Sequence, residues 1–310
     1  MRAKTALAYA VCCLAWGSTW LAIKIGLQDL PPLRFAGLRM LVACAVLVPF
    51  AGRALRAPSA RPTRAEWRDI ALIGALQIGG SYALVFVSAQ WIPSSVSAAL
   101  FATFPIWTSL LAHFLLRDEP LTWGRGAAAG LGFLGVGVLQ GPALGSLSFS
   151  SKVAVGSALA LLTPLCSAAG NVWMKRQLPR VNPVVNLCAQ LLVGAAVLLA
   201  LSAAVEGGVP AHWELRSVLA LLYLAVVGTA VAFFALFWMM PHIPVSAVGA
   251  IPLIDTTLAV ALGAAVLREP LTWRFVAGAT LVLLAAALAN GVVPRLRSRA
   301  PSRDAAPATP

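Results

Sequence analysis

Long apolar runs alternate with short polar connections along almost the whole chain. A helix needs about 20 mostly apolar residues to cross the hydrocarbon core of a bilayer. Ten runs reach or approach that length, so the pattern predicts an all-α integral membrane protein with ten transmembrane helices. The predicted spans are Thr5–Ile25, Pro32–Phe50, Asp69–Trp91, Val96–Leu116, Trp123–Leu139, Val153–Trp173, Val184–Ala204, Ser217–Met240, Val245–Leu267 and Trp273–Val293.

Composition supports the membrane interpretation. Hydrophobic residues make up 60% of the 310 residues, charged residues only 11%, and the mean hydropathy is +0.87. A soluble domain carries about 25% charged residues, which it needs to cover a water-facing surface. Soluble enzymes, disordered proteins and DNA-binding domains are therefore excluded as classes.

The second half of the chain repeats the first at an almost constant distance. Glu119-Pro120-Leu121-Thr122-Trp123 recurs without a mismatch as Glu269-Pro270-Leu271-Thr272-Trp273, at an offset of 150. An offset of 151 matches Lys24 with Lys175, Pro32 with Pro183, Pro93 with Pro244 and Ser95 with Ser246. Because each half holds an odd number of spans, the halves enter the membrane from opposite sides and form two inverted five-helix repeats. The predicted units are 1–147 for the first repeat, 148–294 for the second, and 295–310 for a disordered cytoplasmic tail.

Charge fixes the expected orientation. Of the 23 Lys and Arg residues, 16 fall on the side that holds both termini and 6 on the opposite side, while Arg39 lies inside a span. The positive-inside rule then predicts a multi-pass protein of the bacterial inner membrane with both termini in the cytoplasm. The net charge of +13 suits anionic lipid head groups, and no nucleic-acid partner is expected.

Cysteines and glycines carry little functional signal. The five cysteines lie inside apolar runs without metal-site or redox spacing, so they are interpreted as small apolar fillers, and no metal or cofactor is expected. Gly126 and Gly130 in the fifth span form a GxxxG pattern. Close packing inside the bundle is the preferred interpretation, with a homodimer as the alternative.

Several degenerate motifs together resemble the EamA-type transporters of the drug/metabolite transporter superfamily. They are Trp16-Gly17-Ser18-Thr19-Trp20 with Lys24, the Asp29-Leu30-Pro31-Pro32 turn, Arg39 in the second span, Pro93 with Ser97-Ala98, and the Glu-Pro-Leu loops at Glu119 and Glu269. The resemblance extends from about Lys4 to Val293. It implies a ten-helix secondary carrier that often exports amino acids or other small metabolites. Some members of the superfamily are proton-coupled and some are facilitators.

Asp255 is the acidic residue that lies deep inside a span, near the middle of the ninth. A carboxyl group in hydrocarbon is costly, which makes it a candidate for proton coupling or for contact with a substrate amine. The alternative is a structural ion pair with Arg39, or hydrogen bonds to nearby Thr and Ser. Arg39 itself is suited to a bidentate carboxylate or phosphate, although a structural or gating role is preferred. The equivalent positions in the other repeat are Phe104 and Gln190.

Polar and aromatic side chains at mid-span depth are candidates for a cavity lining. Such groups suit an amphipathic metabolite, although packing or interhelical hydrogen bonding is the alternative for each of them singly. The candidates are Trp16, Ser18, Thr19, Gln77, Tyr82, Ser97, Asn171, Gln190, Phe233 and Trp238.

The predicted function is secondary export of a small metabolite, an amino acid or a related compound, by alternating access. A GxxxxGK[ST] nucleotide loop is absent from the sequence, so energy would come from protons or from the substrate's own gradient. The alternatives left open are a lipid-linked-sugar flippase, a facilitator of the same superfamily, and a channel. A membrane enzyme is not expected, because the sequence has neither an HExxH site nor an evident nucleophile to accompany His113.

Overall fold

The structure is a computed structural model that describes residues 3–57, 61–115, 123–145, 152–178, 180–239, 245–269 and 271–289. In that part of the chain all regular secondary structure is helical. The first Glu-Pro-Leu loop and the predicted 295–310 tail lie outside the described residues.

Helices α1 to α7 belong to the first half of the chain. They are α1 Ala3–Gly26, α2 Pro32–Ala54, α3 Arg64–Ile73, α4 Ser81–Ser88, α5 Ser94–Phe101, α6 Phe104–Leu115 and α7 Trp123–Gly145, with a π-helical segment Gly74–Gly80 between α3 and α4. The second half contains α8 Lys152–Gln177, α9 Pro183–Val205, α10 Leu215–Ala225, α11 Ala232–Met239, α12 Val245–Leu267 and α13 Trp273–Ala289, with a π-helical segment Val226–Val231 between α10 and α11.

Seven continuous helical segments of the described chain are long and apolar enough to cross a membrane. They are Ala3–Gly26, Pro32–Ala54, Arg64–Ser88, Ser94–Leu115, Lys152–Gln177, Pro183–Val205 and Leu215–Leu236. Three shorter apolar stretches, Gly126–Gly135, Ile254–Leu267 and Trp273–Leu288, fall within the remaining predicted spans. The chain is therefore a multi-pass helical membrane protein, and the count of ten spans stays a prediction.

The two π-helical segments occupy equivalent places in the two halves. Adding the sequence offset of 151 to residues 74–80 gives residues 225–231, and the second segment is Val226–Val231. In a π-helix each N–H reaches one residue further back than in an α-helix, which leaves a local bulge that is frequent at functional sites. Both halves thus depart from regular α-helix at the equivalent position of their third predicted span.

Equivalent helices pack against each other. Helix α2 packs against α9, and α7 packs against α13, while α1 lies along α12. The first two pairs join counterparts of the two repeats, as expected for halves related by a two-fold axis. The largest apolar cluster includes the fully buried Phe35 and Met40 of α2 together with Leu191 and Leu198 of α9.

Carboxylates of the second half hold helix starts of the first half. Glu206 accepts hydrogen bonds from the backbone N–H groups of Leu33 and Arg34 at 2.8 and 2.9 Å, which satisfies the first turn of α2. Glu269 does the same for the start of α5. The bidentate pair of Arg216 with Asp29 adds a connection between the turn after α1 and the start of α10.

The third and fourth predicted spans differ in detail from the structure. The third begins at Arg64 rather than Asp69, because Thr63 and Glu66 form a capping box at its start. The fourth is broken into α5 and α6 at residues 102–103. Pro105 is the second residue of α6, just after the break, and its ring would clash with the preceding turn of a continuous helix.

Candidate functional site

Arg39 is a cation inside the bundle, with 3% of its surface exposed. Helix α2 carries it among buried apolar neighbours, so its guanidinium faces side chains of other helices. Its Nε and Nη2 groups both donate to Oγ1 of Thr229, at 3.3 and 3.2 Å. Its Cζ atom lies 5.2 Å from the centre of the Tyr82 ring, a cation–π distance.

The π-helical segment Val226–Val231 orients Thr229 toward Arg39. The Thr229 hydroxyl donates to the carbonyl of Leu224, five residues earlier, at 2.9 Å, which leaves its lone pairs for the guanidinium. Gly228 allows this approach, because a Cβ there would lie 2.8 Å from Cγ2 of Thr19 and 3.6 Å from Nη2 of Arg39. The bulge therefore brings a hydroxyl from the second half onto a cation of the first.

Aromatic and hydroxyl groups of α1 contact the second half beside this position. Ser18 Oγ and Tyr223 Oη are 2.6 Å apart, and Trp16 meets Phe233 edge-on at 5.5 Å between ring centres. Of the predicted lining residues, the structure thus pairs Trp16 with Phe233, just as it pairs Arg39 with Tyr82.

Asp255 lies on α12 where that helix meets α1. Its Oδ1 is 3.3 Å from Oγ1 of Thr256, and the residue is partly exposed. Gly17 allows the two helices to approach, because a Cβ there would lie 3.1 Å from the Asp255 carbonyl oxygen. The alternative ion pair between Asp255 and Arg39 is not formed among the described residues, in which Arg39 contacts Thr229 and Tyr82 instead.

The other predicted residues form separate contacts. Gln77 lies in the first π-helical segment against Gly170 of α8, and its Oε1 is buried without a hydrogen-bond partner in the described structure. Trp238 on α11 is 42% exposed. The remaining polar candidates bond within their own helix or its first turn: Thr19 to Trp16, Ser97 to Pro93, Asn171 to Ser167 and Gln190 to Asn186. Gln190 also donates to Sδ of Met174 on α8, at 3.7 Å.

The glycines of α7 do not all serve the same purpose. Gly132 and Gly135 pack closely against other helices, against Ile106 and the Gly278 carbonyl respectively. At Gly126 and Gly130, an added Cβ would meet no atom of the described chain within 4 Å. No other helix of the described chain contacts the GxxxG pattern at these two glycines, so the expected bundle packing there is not found among the described residues.

The sequence analysis did not identify Glu269 as the residue that accepts the hydrogen bonds at the start of α5. Its carboxylate accepts from N and Oγ of Ser94 at 2.7 and 2.8 Å, and from N and Oγ of Ser95 at 3.0 and 2.5 Å. Arg268 has a positive φ of 54°, which turns the chain back so that the Glu269 N–H reaches the Gly263 carbonyl. The duplicated Glu-Pro-Leu motif was the signal for it.

Glu269 also borders a surface pocket. Partial burial raises the pKa of the Glu269 carboxyl, but the hydrogen bonds from Ser95 and Ser94 outweigh this and hold the pKa below its usual value. The pocket has a volume of about 600 Å³, and Lys24 and Gln90 contribute to its lining.

Thr229 and Tyr223 were also missed as members of the site. Each stands in an otherwise apolar run of the eighth predicted span, and neither belongs to a motif. Their contacts with Arg39 and Ser18 cross 190 and 205 positions of the chain, so no local signal could have paired them.

These features define a class, a helical membrane transporter built from two repeats. A family model described as the EamA-like transporter family matches residues 3–140 and again residues 154–291. The two matches are displaced by the same 151 residues that relate the halves of the sequence, and together they cover most of the chain. The chain belongs to the EamA-like transporter family.

Curated relatives agree with this assignment. The uncharacterized transporter YoaV of Bacillus subtilis is 26% identical over 270 residues, which cover 87% of this chain and 90% of the relative. The uncharacterized inner membrane transporter YedA of Escherichia coli K12 is 29% identical over 262 residues, 84% of this chain and 81% of the relative. The prediction of a multi-span membrane transporter is thereby confirmed.

A solved crystal structure has the same fold. It superposes with a TM-score of 0.65 at 21% identity and covers 96% of this chain and all of its own. At that identity the likeness supports the fold alone.

Proposed function

We propose that this transporter is a secondary carrier that exports a small metabolite, an amino acid or a related compound, across the inner membrane by alternating access. The observation that carries the proposal is the pair of π-helical segments at equivalent places of the two repeats, Gly74–Gly80 and Val226–Val231. A π-helical bulge inside an α-helix is frequent at functional sites. Paired irregularities at corresponding positions of two repeats support a substrate site between the halves of a secondary carrier.

The two repeats, 1–147 and 148–294, enter the membrane in opposite orientations in this proposal. Each can then adopt the conformation of the other, which gives two states of similar energy, one open to each side. The contact between α2 and α9, which are equivalent helices, supports a two-fold axis between the halves. Both termini lie in the cytoplasm, in agreement with the distribution of Lys and Arg.

Asp255 supplies the coupling to protons in this mechanism. It lies on α12 where that helix approaches Gly17 of α1, a contact between the two halves that must change when they move. Protonation removes the cost of a charge in that contact and favours closure, whereas release of the proton favours opening to water. A proton gradient can thereby drive export against a substrate gradient.

The substrate class and the direction are tested together by the metabolites in the medium. Cells with the chain, cells with an empty vector and cells with Asp255→Asn are fed dipeptides, whose hydrolysis raises internal amino acids, and the medium is profiled over time. We expect at least one small metabolite to accumulate outside only with the wild-type chain. Identical profiles in all three strains, or chain-dependent loss of a lipid-linked sugar from the inner leaflet, would contradict the proposal.

A further inference from the structure

Arg39 is a buried cation whose described partners are all neutral. Thr229 contributes a hydroxyl and Tyr82 the face of its ring. Neither cancels a full positive charge, and a buried charge without a counter-ion is costly. The side chain nevertheless stays inside the bundle, with 3% of its surface exposed. This cost is relieved when a negative group arrives to balance the charge.

The acidic groups that the structure describes are engaged elsewhere. Asp29 pairs with Arg216, and Asp69 pairs with Arg68. Glu66, Glu206 and Glu269 accept hydrogen bonds at the starts of α3, α2 and α5. Asp255 contacts Thr256, and Glu214 is exposed. Within the described ranges no protein carboxylate therefore neutralises Arg39. The counter-ion has to come from outside this part of the protein.

The guanidinium keeps an edge for such a group. The Nε–H and one N–H of Nη2 donate to Thr229, which leaves the second N–H of Nη2 and both N–H groups of Nη1 without a hydrogen bond within the part of the chain that is described. The Tyr82 ring at 5.2 Å and the Thr229 hydroxyl fix the plane of the fork in advance. A planar fork held in this way is matched to a planar carboxylate, which accepts two parallel N–H groups.

We infer that Arg39 binds the carboxylate of the transported molecule, with Thr229 and Tyr82 as its positioning residues. This inference rests on the proposed function and narrows it to substrates that carry a carboxylate. A single guanidinium balances one negative charge, and its described neighbours add a hydroxyl and an aromatic ring but no second cation. This favours a monoanionic carboxylate over a phosphate, which carries up to two charges.

The test is a binding measurement that needs no transport. The full chain is purified in detergent, and its thermal unfolding is followed by tryptophan fluorescence with the L-amino acids, each compared with its own primary amide. The amide keeps the amine and side chain and loses the carboxylate. We expect at least one amino acid to raise the midpoint of unfolding of the wild-type protein, and its amide to have no effect.

Variants separate a ligand contact from a packing role. Arg39→Gln removes the charge and is expected to abolish the shift. Arg39→Lys keeps the charge without the fork, and we expect about tenfold weaker binding of the acid and still none of the amide. Arg53→Gln is the matched control, the same change at an exposed arginine of the same helix, and should behave like the wild type.

Several outcomes would overturn the inference. They are equal stabilisation of the wild type by acid and amide, no stabilisation by any amino acid, or unchanged affinity in Arg39→Gln. If Arg39→Gln does not fold, an unchanged affinity of Arg39→Lys for the amino acid would also overturn the inference. Export of a compound without a carboxylate would leave the proposed function intact and contradict the carboxylate site at Arg39. Selective binding of an acid without any export would support the site and contradict the proposed function.

Discussion

The Sγ atoms of Cys44 on α2 and Cys188 on α9 lie 3.4 Å apart. These helices are counterparts in the two repeats, so the cysteines report directly on the contact between the halves. Both thiols are buried in the main apolar cluster, as expected of small filler residues. Their proximity was not foreseeable, because it depends on the packing of residues 144 positions apart.

We predict that a membrane-permeant oxidant such as copper phenanthroline links Cys44 to Cys188. Two thiols give up two protons and two electrons to the oxidant and form one disulfide. Proteolysis between the halves followed by non-reducing electrophoresis should show the two halves still joined. Cys188→Ser should abolish the product, whereas Cys166→Ser should not. If no linked product depended on Cys188, the described packing of α2 against α9 would be contradicted.

Glu269 provides a test of stability at the start of α5. Glu269→Gln removes the charge that accepts four hydrogen bonds, and we expect a loss of about 1–3 kcal/mol in the free energy of unfolding. Chemical denaturation in detergent measures it. Glu214→Gln, at an exposed carboxylate, is the control and should change little.

The same carboxylate makes stability depend on pH. Because the pKa of Glu269 is held below its usual value of 4.5 in the folded protein, its contribution is complete above that pH and is lost as the pH falls through the lowered value. Wild type and Glu269→Gln should therefore converge in stability below about pH 4.5. If the difference in the free energy of unfolding between wild type and Glu269→Gln were the same at neutral and acidic pH, the role of the charge would be contradicted.

The sequence was sufficient for the fold class and the repeat, since both follow from patterns that run along the chain. Apolar runs predict helices, and the matching prolines and lysines predict the offset of 151 that the family matches reproduce. The capping box at Thr63 and Glu66 is also readable in principle, although the apolar pattern alone starts the third span at Asp69.

The candidate site was predicted less completely, because its geometry depends on contacts between distant helices. Arg39 and Tyr82 stand out in the sequence as single residues, but their contact arises from packing of α2 against α4. Thr229 is 190 positions from Arg39 and becomes its partner through a π-helical bulge. The bulge forms where neighbouring helices approach closely at Gly228, and no local pattern specifies that approach.

The orientation of the chain is testable with single cysteines. Ala57→Cys follows α2 and Gln28→Cys follows α1, and both positions are exposed. With both termini in the cytoplasm, a membrane-impermeant maleimide should label Gln28→Cys in intact cells, and Ala57→Cys only after permeabilisation. The native cysteines lie within the helices and provide the background control. Labelling of Ala57→Cys in intact cells would invert the proposed topology.

Asp255→Asn tests proton coupling separately from binding. Without an ionisable group at this position of α12, the variant should exchange substrate across proteoliposomes but fail to accumulate it when a proton gradient is imposed, a loss of about tenfold or more in the gradient reached. Asp255→Glu keeps the carboxyl group and should retain part of the accumulation. Full accumulation by Asp255→Asn under the imposed proton gradient would show that Asp255 is not the coupling group.

Gly17 tests whether the contact between α1 and α12 has to change during transport. A Cβ there would lie 2.7 Å from Cβ of Leu258 and 3.1 Å from the carbonyl oxygen of Asp255, so Gly17→Ala must push the two helices apart. Overpacking of this kind lowers stability by about 1–3 kcal/mol. The loss is unequal for the two transport conformations if they differ at the contact between α1 and α12. We expect export to fall more than the amount of folded protein in the membrane.

The matched control for this change is Gly124→Ala, because a Cβ at that helical position meets no atom of the described chain within 4 Å. It should leave both export and the amount of folded protein unchanged. If Gly17→Ala lowered export only in proportion to folded protein, α1 and α12 would move as one body. The opening between the halves would then have to lie elsewhere, at a contact such as that between α2 and α9.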